Sequence, residues 1–247
     1  PVAIYDGDTS GHRRRVLRQS PPPILITNPD MLHLALLPYH ERWAYFLAHL
    51  RYVVIDEMHT YRGVFGSHVA WVLRRLRRLC AFYGANPTFI LSSATIGNPE
   101  EHGQRLLGAP VRAVTRSGAG NAVRNIMLLN PLDSAATCTV QLMEAAVSRG
   151  LRTIVYCQSR RMTELIAIWT EQRLKEHRDK IASYRSGFLP EERRAIEDRL
   201  ATGSLLGVIT TSALELGIDI GNLDICLLVG YPGSMMATWQ RAGRVGR

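Results

Sequence analysis

Two carboxylates, Asp56 and Glu57, directly follow the apolar run Val53-Val54-Ile55. Such a run is typical of a buried parallel strand, and ligands of open α/β sheets bind at the carboxyl ends of the strands. A carboxylate at that edge can hold Mg²⁺, directly or through water, and its neighbour can orient an attacking water. The pair could instead cap the next helix, so on these residues alone both interpretations stay open.

Three further polar patterns also stand where apolar runs end. The hydroxyls of Ser92-Ser93-Ala94-Thr95 can bond a neighbouring loop or cap the following helix. In the stretch 210–219 (T-T-S-A-L-E-L-G-I-D), hydroxyls can contact phosphates, Gly217 permits close approach, and Asp219 could bind a ribose hydroxyl or an arginine. In the stretch 240–247 (Q-R-A-G-R-V-G-R), arginines three apart share one face and can neutralise a transferred phosphoryl group. A merely basic helix would gain nothing from the two glycines in this last stretch.

The elements that must position these residues alternate between short apolar runs and longer amphipathic ones, which predicts βαβ units and parallel sheets. The predicted strands are 24–27, 52–56, 88–92, 111–115, 125–129, 153–157, 181–184, 206–210 and 225–229. The predicted helices are 31–37, 64–83, 99–107, 134–149, 161–175, 190–202 and 235–243. The Gly- and Ala-rich stretch 116–125 has no periodicity and predicts a linker between two lobes.

The composition is that of a soluble globular protein, and its positive charge favours a polyanionic partner. The hydrophobic fraction is 46% and the charged fraction 21%, and no apolar run reaches the roughly 18 residues that a membrane span requires. The net charge is +9 and is carried almost wholly by arginine, since Lys175 and Lys180 are the lysines of the chain. Arginine suits phosphate geometry, although a solvated basic face would give the same charge. The four cysteines form no C-x-x-C pair, which predicts a reducing compartment, cytoplasmic or nuclear.

The order of the motifs resembles that of the superfamily-two helicases. D-E-x-H, S-A-T, T-T-S…G-I-D and Q-x-x-G-R-x-G-R match motifs II, III, V and VI of that superfamily. Stretches 27–32, 155–160 and 184–187 resemble its elements that touch the nucleic-acid backbone. The resemblance covers nearly the whole chain. It implies an α/β fold with two RecA-like lobes, 1–117 and 118–247, whose parallel sheets are flanked by helices.

Three stretches narrow the resemblance within the superfamily. Residues 5–9 with 13–15, 59–68 and 213–219 are similar to the MrfA-like branch of DNA helicases, which carry a DUF1998 domain. That branch moves 3′ to 5′ and is linked to DNA repair. The resemblance therefore implies ATP and Mg²⁺ as cofactors and DNA, rather than RNA, as the polymer.

The resemblance also implies a role for each matching residue. Asp56 would hold Mg²⁺ through water, Glu57 would activate the attacking water, and Arg244 and Arg247 would be arginine fingers. The other nucleotide contacts would come from Gly217, Asp219 and Gln240. The coupling of nucleotide state to lobe movement would involve His59, Gln240, Ser93 and Thr95. The nucleic-acid track would be formed by Thr27, Asn28, Arg62, Ser159, Arg160 and Thr211.

One motif of such a motor is absent from the sequence. The phosphate-binding loop G-x-x-x-x-G-K-[ST] needs a lysine after glycine, but the two lysines follow Leu174 and Asp179. We therefore expect a first lobe truncated at its N-terminus, with this loop upstream of Pro1, and a second lobe truncated after Arg247. Two alternatives stay open: a nucleic-acid-binding module without ATPase activity, and an RNA-directed helicase.

Overall fold

The computed structural model describes residues 1–93, 96–116, 118, 123–215 and 223–246. The chain divides into two compact units, Pro1–Arg116 and Ser117–Arg247. Each unit combines parallel strands with flanking helices.

The first unit has two pairs of parallel strands. The strands are β1 (Val2–Tyr5), β2 (Ile24–Thr27), β3 (Tyr52–Ile55) and β4 (Thr88–Leu91), with β1 beside β2 and β3 beside β4. The helices are α1 (Gly11–Gln19), α2 (Pro29–Met31), α3 (Ala44–Ala48), α4 (Gly63–Phe82) and α5 (Pro99–Leu107). A π-helical turn (Leu32–Leu36) and a 3₁₀ segment (Leu37–Trp43) join α2 to α3, and a 3₁₀ turn (Met58–Thr60) follows β3.

Helix α4 organises the core of the first unit. Its apolar residues recur every three or four positions, so one face is buried, including Leu73 and Leu76. Arg74 and Arg77 extend from the side of this face and donate hydrogen bonds to carbonyls at the end of α5, those of Arg105 (3.1 Å) and Leu107 (3.0 Å). Cations stabilise a helix C-terminus, so these arginines fasten α5 to α4.

The second unit contains one parallel sheet. Its strands β5 (Thr153–Tyr156), β6 (Ile181–Tyr184), β7 (Gly207–Thr210) and β8 (Ile225–Leu228) lie in the order β6-β7-β5-β8. The helices are α6 (Ala135–Val147), α7 (Arg160–Arg173), α8 (Pro190–Ala201) and α9 (Met235–Ala242), with 3₁₀ turns at Lys175–Lys180 and Ser212–Leu214. The central strands β5 and β7 are buried along their whole length, as expected for strands covered by helices on both faces.

Two predicted strands, 111–115 and 125–129, are wrong, because the structure has no strand at either place. Val114 is 88% exposed and Leu128 is 96% exposed. An apolar run forms a strand only beside another strand that pairs with its backbone, and neither run has such a partner among the described residues. The sequence patterns also missed β1 and α1.

The four cysteines are free thiols. Burial raises the pKa of Cys157 to about 11 and that of Cys226 to about 12, so both thiols are protonated near neutral pH. In the part of the chain that the structure describes, no helix is long and apolar enough to cross a membrane.

Candidate functional site

The two carboxylates after β3 lie at a sheet edge together with the polar residues after β4. Ile55 pairs with Leu91 in the parallel register, so Asp56 and Ser92 leave their strands side by side. Oδ1 of Asp56 accepts the backbone N–H of Glu57 at 2.9 Å and the hydroxyl of Ser92. Asp56 is itself exposed. Its second carboxylate oxygen therefore stays available for a ligand at the edge of the sheet.

Glu57 has an unusual backbone conformation, with φ 49° and ψ 46°. Among the described residues other than glycine, it alone has a positive φ. The left-handed region is costly for a residue with a side chain and persists only where the surroundings enforce it. Here the Met58 N–H donates to the Ser92 carbonyl and the Thr60 hydroxyl donates to the Glu57 carbonyl, at 2.9 and 2.8 Å. These bonds fix a tight turn that turns Glu57 away from the path of the strand.

His59 connects this turn to the residues after β4. The residue is 3% exposed, and its Nδ1 lies 3.1 Å from the Ser93 hydroxyl and 3.2 Å from Oε2 of Glu57. The Glu57 side chain is about one-third exposed, so it is open to solvent on one side and faces the buried imidazole on the other. The structure thus brings together Glu57, His59 and Ser93.

Side chains from the following segment and from α5 also contact the backbone of this turn. Nε of Arg62 donates to the His59 carbonyl at 2.6 Å, and Nε2 of His102 lies 2.9 Å from the Met58 carbonyl. Burial, and secondarily the charge of Asp56, raise the pKa of Tyr61. A Cβ atom on Gly66 would lie 2.4 Å from the Tyr61 carbonyl oxygen, so only glycine lets α4 approach this closely.

A second group of predicted residues lies at the end of β2. Thr27 donates its hydroxyl to the Tyr5 carbonyl at 2.7 Å, and Oδ1 of Asn28 caps α2 by accepting the Met31 N–H at 2.8 Å. Both residues are exposed. Their side chains therefore shape the loop at this sheet edge, although both residues remain exposed to solvent.

In the second unit, the predicted residues after β5 and β7 lie at one sheet edge, because Tyr156 pairs with Thr210. Oγ of Ser159 caps α7 by accepting the Met162 N–H at 3.2 Å, and Arg160, the first residue of α7, is exposed. Thr211 follows the end of β7 directly. A hydroxyl, a helix N-terminus and an arginine at one edge form a surface that suits phosphate.

The final helix is tied to the segment after β7 by a buried ion pair. Nη2 of Arg241 lies 3.0 Å from Oε2 of Glu215, and the two side chains are 10% and 13% exposed. The Arg241 guanidinium also lies 5.2 Å from the centre of the Tyr156 ring. Arg244, which is 8% exposed, donates to the Glu215 carbonyl.

Sequence reasoning missed Arg241 and Glu215. The available signal was a single acid inside the apolar stretch 213–216, since a buried carboxylate requires a partner.

The remaining residues predicted for the site lie on another helix or outside the residues that the structure describes. Gln240 is half-buried on α9. Thr95, Gly217, Asp219 and Arg247 lie outside the described residues. Within the described ranges, no group of three or more His, Cys, Asp or Glu side chains could hold a metal ion. Asp56 alone still fits Mg²⁺, which needs only one or two carboxylates when waters and phosphates supply its other ligands.

Two family models match consecutive parts of the chain. The DEAD/DEAH box helicase model matches residues 1–102, and the helicase conserved C-terminal domain model matches residues 135–247. The chain belongs to the superfamily-two helicases. The RecA-like α/β fold predicted from the motifs is confirmed by this membership.

This superfamily-two helicase is similar to two curated relatives. It is 47% identical to the uncharacterized ATP-dependent helicase YprA of Bacillus subtilis, over 98% of this chain and 34% of the relative. It is 39% identical to the ATP-dependent helicase HRQ1 of Saccharomyces cerevisiae, over 100% of this chain and 24% of the relative. The helicase chain thus spans about a third and about a quarter of these two proteins.

The helicase chain also resembles a solved structure of the branch predicted from the sequence. The DUF1998 helicase MrfA bound to DNA and AMPPNP superposes with a TM-score of 0.93 at 46% identity, over 100% of this chain and 36% of that one. The predicted similarity to the MrfA-like helicases is confirmed.

Proposed function

We propose that this chain is the motor core of an ATP-dependent DNA helicase or translocase. The observation that carries the proposal is the turn after β3, where His59 contacts both Glu57 and Ser93. A water-activating carboxylate beside a buried imidazole, at the carboxyl edge of a parallel sheet, is suited to hydrolysis of a bound nucleotide. Because the chain spans only part of its relatives, we propose this activity for the full-length gene product.

In the proposed reaction each residue of the turn has a separate task. Asp56 would hold Mg²⁺ through water, and the ion would neutralise charge on the phosphates. Glu57 would take a proton from the attacking water with its carboxylate, on a side chain that is about a third exposed. His59, Ser93, Thr95 and Gln240 would transmit the change in nucleotide state to the nucleic-acid track.

The arginines of the final motif would stabilise the transition state. We assign Arg244 and Arg247 to the charge that develops on the transferred phosphoryl, and Gly217 and Asp219 to the nucleotide. Arg244 donates to the Glu215 carbonyl, which keeps its guanidinium ordered before any phosphate arrives. An ordered arginine loses less conformational entropy when it engages an oxyanion.

DNA is the proposed polymer. The similar helicase MrfA was solved with DNA and AMPPNP, and the polar residues that end or follow β2, β3, β5 and β7 offer phosphate contacts in this chain. Those residues are Thr27, Asn28, Arg62, Ser159, Arg160 and Thr211. From the resemblance to the same branch we also propose 3′ to 5′ movement and a role in DNA repair, in the cytoplasm or, in a eukaryote, the nucleus.

The experiment compares ATP hydrolysis by the full-length gene product with single-stranded DNA and with RNA of the same length and sequence. We expect both polymers to stimulate ATP hydrolysis, and RNA to do so more weakly than DNA. Stronger stimulation by RNA would favour the RNA-directed helicase instead. Binding of either polymer without any ATP hydrolysis would favour a nucleic-acid-binding module.

A further inference from the structure

Ser92 forms three hydrogen bonds with the turn after β3. Its backbone N–H donates to the Ile55 carbonyl and its carbonyl accepts the Met58 N–H, both at 2.9 Å. Its hydroxyl donates to Oδ1 of Asp56. The residue therefore contacts the turn from the last residue of the strand to the residue beyond Glu57.

The two carboxylate oxygens of Asp56 differ in the hydrogen bonds that they accept. Oδ1 receives two donors, the Ser92 hydroxyl and the Glu57 N–H, the latter at 2.9 Å. Both hydrogen bonds that the described residues give to this carboxylate end on Oδ1. With one oxygen held at two points, rotation of the carboxylate about its χ2 torsion is restricted. Oδ2 accepts neither of these bonds, and Asp56 is an exposed residue.

We infer that Ser92 is a positioning residue for metal binding: it orients the Asp56 carboxylate so that Oδ2 faces Mg²⁺ or a water bound to it. This inference rests on the proposed function, because it requires that Asp56 be the carboxylate that binds Mg²⁺. Ser92 acts only through Asp56. Its task differs from that of the adjacent Ser93, whose hydroxyl bonds the buried His59.

The chemistry of the position explains why a hydroxyl is needed there. A hydrogen bond from an outer residue fixes the orientation of a ligating carboxylate and tunes its affinity for the ion. Alanine at position 92 would keep both backbone bonds and lose only the donor to Asp56. Threonine would keep that donor, and because Ser92 is exposed, its additional methyl group can be accommodated.

The test is a titration of Mn²⁺ into the full-length gene product in the presence of ADP, with free Mn²⁺ measured by electron paramagnetic resonance. We expect Ser92→Ala to raise the half-saturating Mn²⁺ concentration about 10-fold and Ser92→Thr to restore it. Ser67→Ala is the matched control, because the Ser67 hydroxyl bonds only the Gly63 carbonyl within α4. ADP affinity in EDTA should be the same for all four proteins.

Each other outcome contradicts the inference in a recognisable way. Equal Mn²⁺ binding by wild type and Ser92→Ala would remove the positioning role and leave the proposed function intact. A loss of ADP affinity in EDTA as well would show that the variant damages the fold of the site rather than metal binding. If the wild-type protein binds no Mn²⁺ with ADP, the proposed function fails, and this inference fails with it.

Discussion

Nδ1 of the buried His59 lies 3.2 Å from Oε2 of Glu57. The same nitrogen lies 3.1 Å from the hydroxyl of Ser93. A ring nitrogen carries one proton or one lone pair, so it cannot serve both oxygens equally. A proton gained by Glu57 during hydrolysis would weaken the attraction of its carboxylate for an Nδ1–H and favour the bond to Ser93. The geometry therefore gives a direct physical route from the proposed chemistry to the segment after β4.

The first prediction concerns this route. We expect His59→Ala and Ser93→Ala each to lower strand displacement per ATP hydrolysed, because each removes one end of the same hydrogen bond. The double variant should be no worse than His59→Ala alone, since residues in one hydrogen-bonded unit are not additive. The measurement is a double-mutant cycle on strand displacement and ATP turnover. Additive losses would show that the two residues act separately.

The second prediction concerns the buried pair in the second unit. Arg241→Met leaves the Glu215 carboxylate buried without its cation, which typically costs about 3 kcal/mol of the free energy of unfolding. Urea unfolding of the chain measures this cost. The double variant Arg241→Met with Glu215→Leu should recover most of it, because both charges are then absent.

An exposed pair supplies the control for that measurement. Arg178 and Glu171 lie 3.0 Å apart, but the arginine is 73% exposed. Solvent screens such a pair, so Arg178→Met should change the free energy of unfolding by less than about 1 kcal/mol. Equal losses in the free energy of unfolding for Arg241→Met and Arg178→Met would show that burial does not decide the contribution of these ion pairs.

The third prediction concerns the approach of α4 to the turn after β3. Gly66→Ala places a methyl group against the Tyr61 backbone, where the separation would be 2.4 Å. We expect a loss of about 1–3 kcal/mol in the free energy of unfolding, as for other overpacked sites. Gly11→Ala is the control, because its Cβ meets no atom within 4 Å. A neutral Gly66→Ala would mean that α4 can shift at no cost.

The sequence predicts the parts of this molecule that depend on local pattern. The pattern predicts a helix at 99–107, and α5 is observed from Pro99 to Leu107, because Pro at its start and the left-handed Gly108 at its end are local signals. The meeting of Asp56 and Ser92 at one sheet edge also follows from the sequence, because both residues come directly after strands that are predicted to be parallel.

Other features depend on contacts between distant residues and could not be predicted. The runs 111–115 and 125–129 have the composition of strands, but a strand also requires a neighbour. The pairing of Arg241 with Glu215 joins two motifs that the sequence shows as independent. The left-handed backbone of Glu57 contradicts the ordinary preference of glutamate, and only the bonds around the turn account for it.

The central claim is that Glu57 activates water in a nucleic-acid-stimulated ATPase, and Glu57→Gln tests it most directly. Glutamine keeps the size of the side chain and removes the base, so we expect ATP turnover by the full-length gene product to fall at least about 100-fold. Affinity for single-stranded DNA, measured by fluorescence anisotropy on the same preparation, should stay within about twofold of wild type, because we assign Glu57 to the nucleotide site and not to the proposed nucleic-acid track. DNA-stimulated ATP hydrolysis by Glu57→Gln at the wild-type rate would contradict this account.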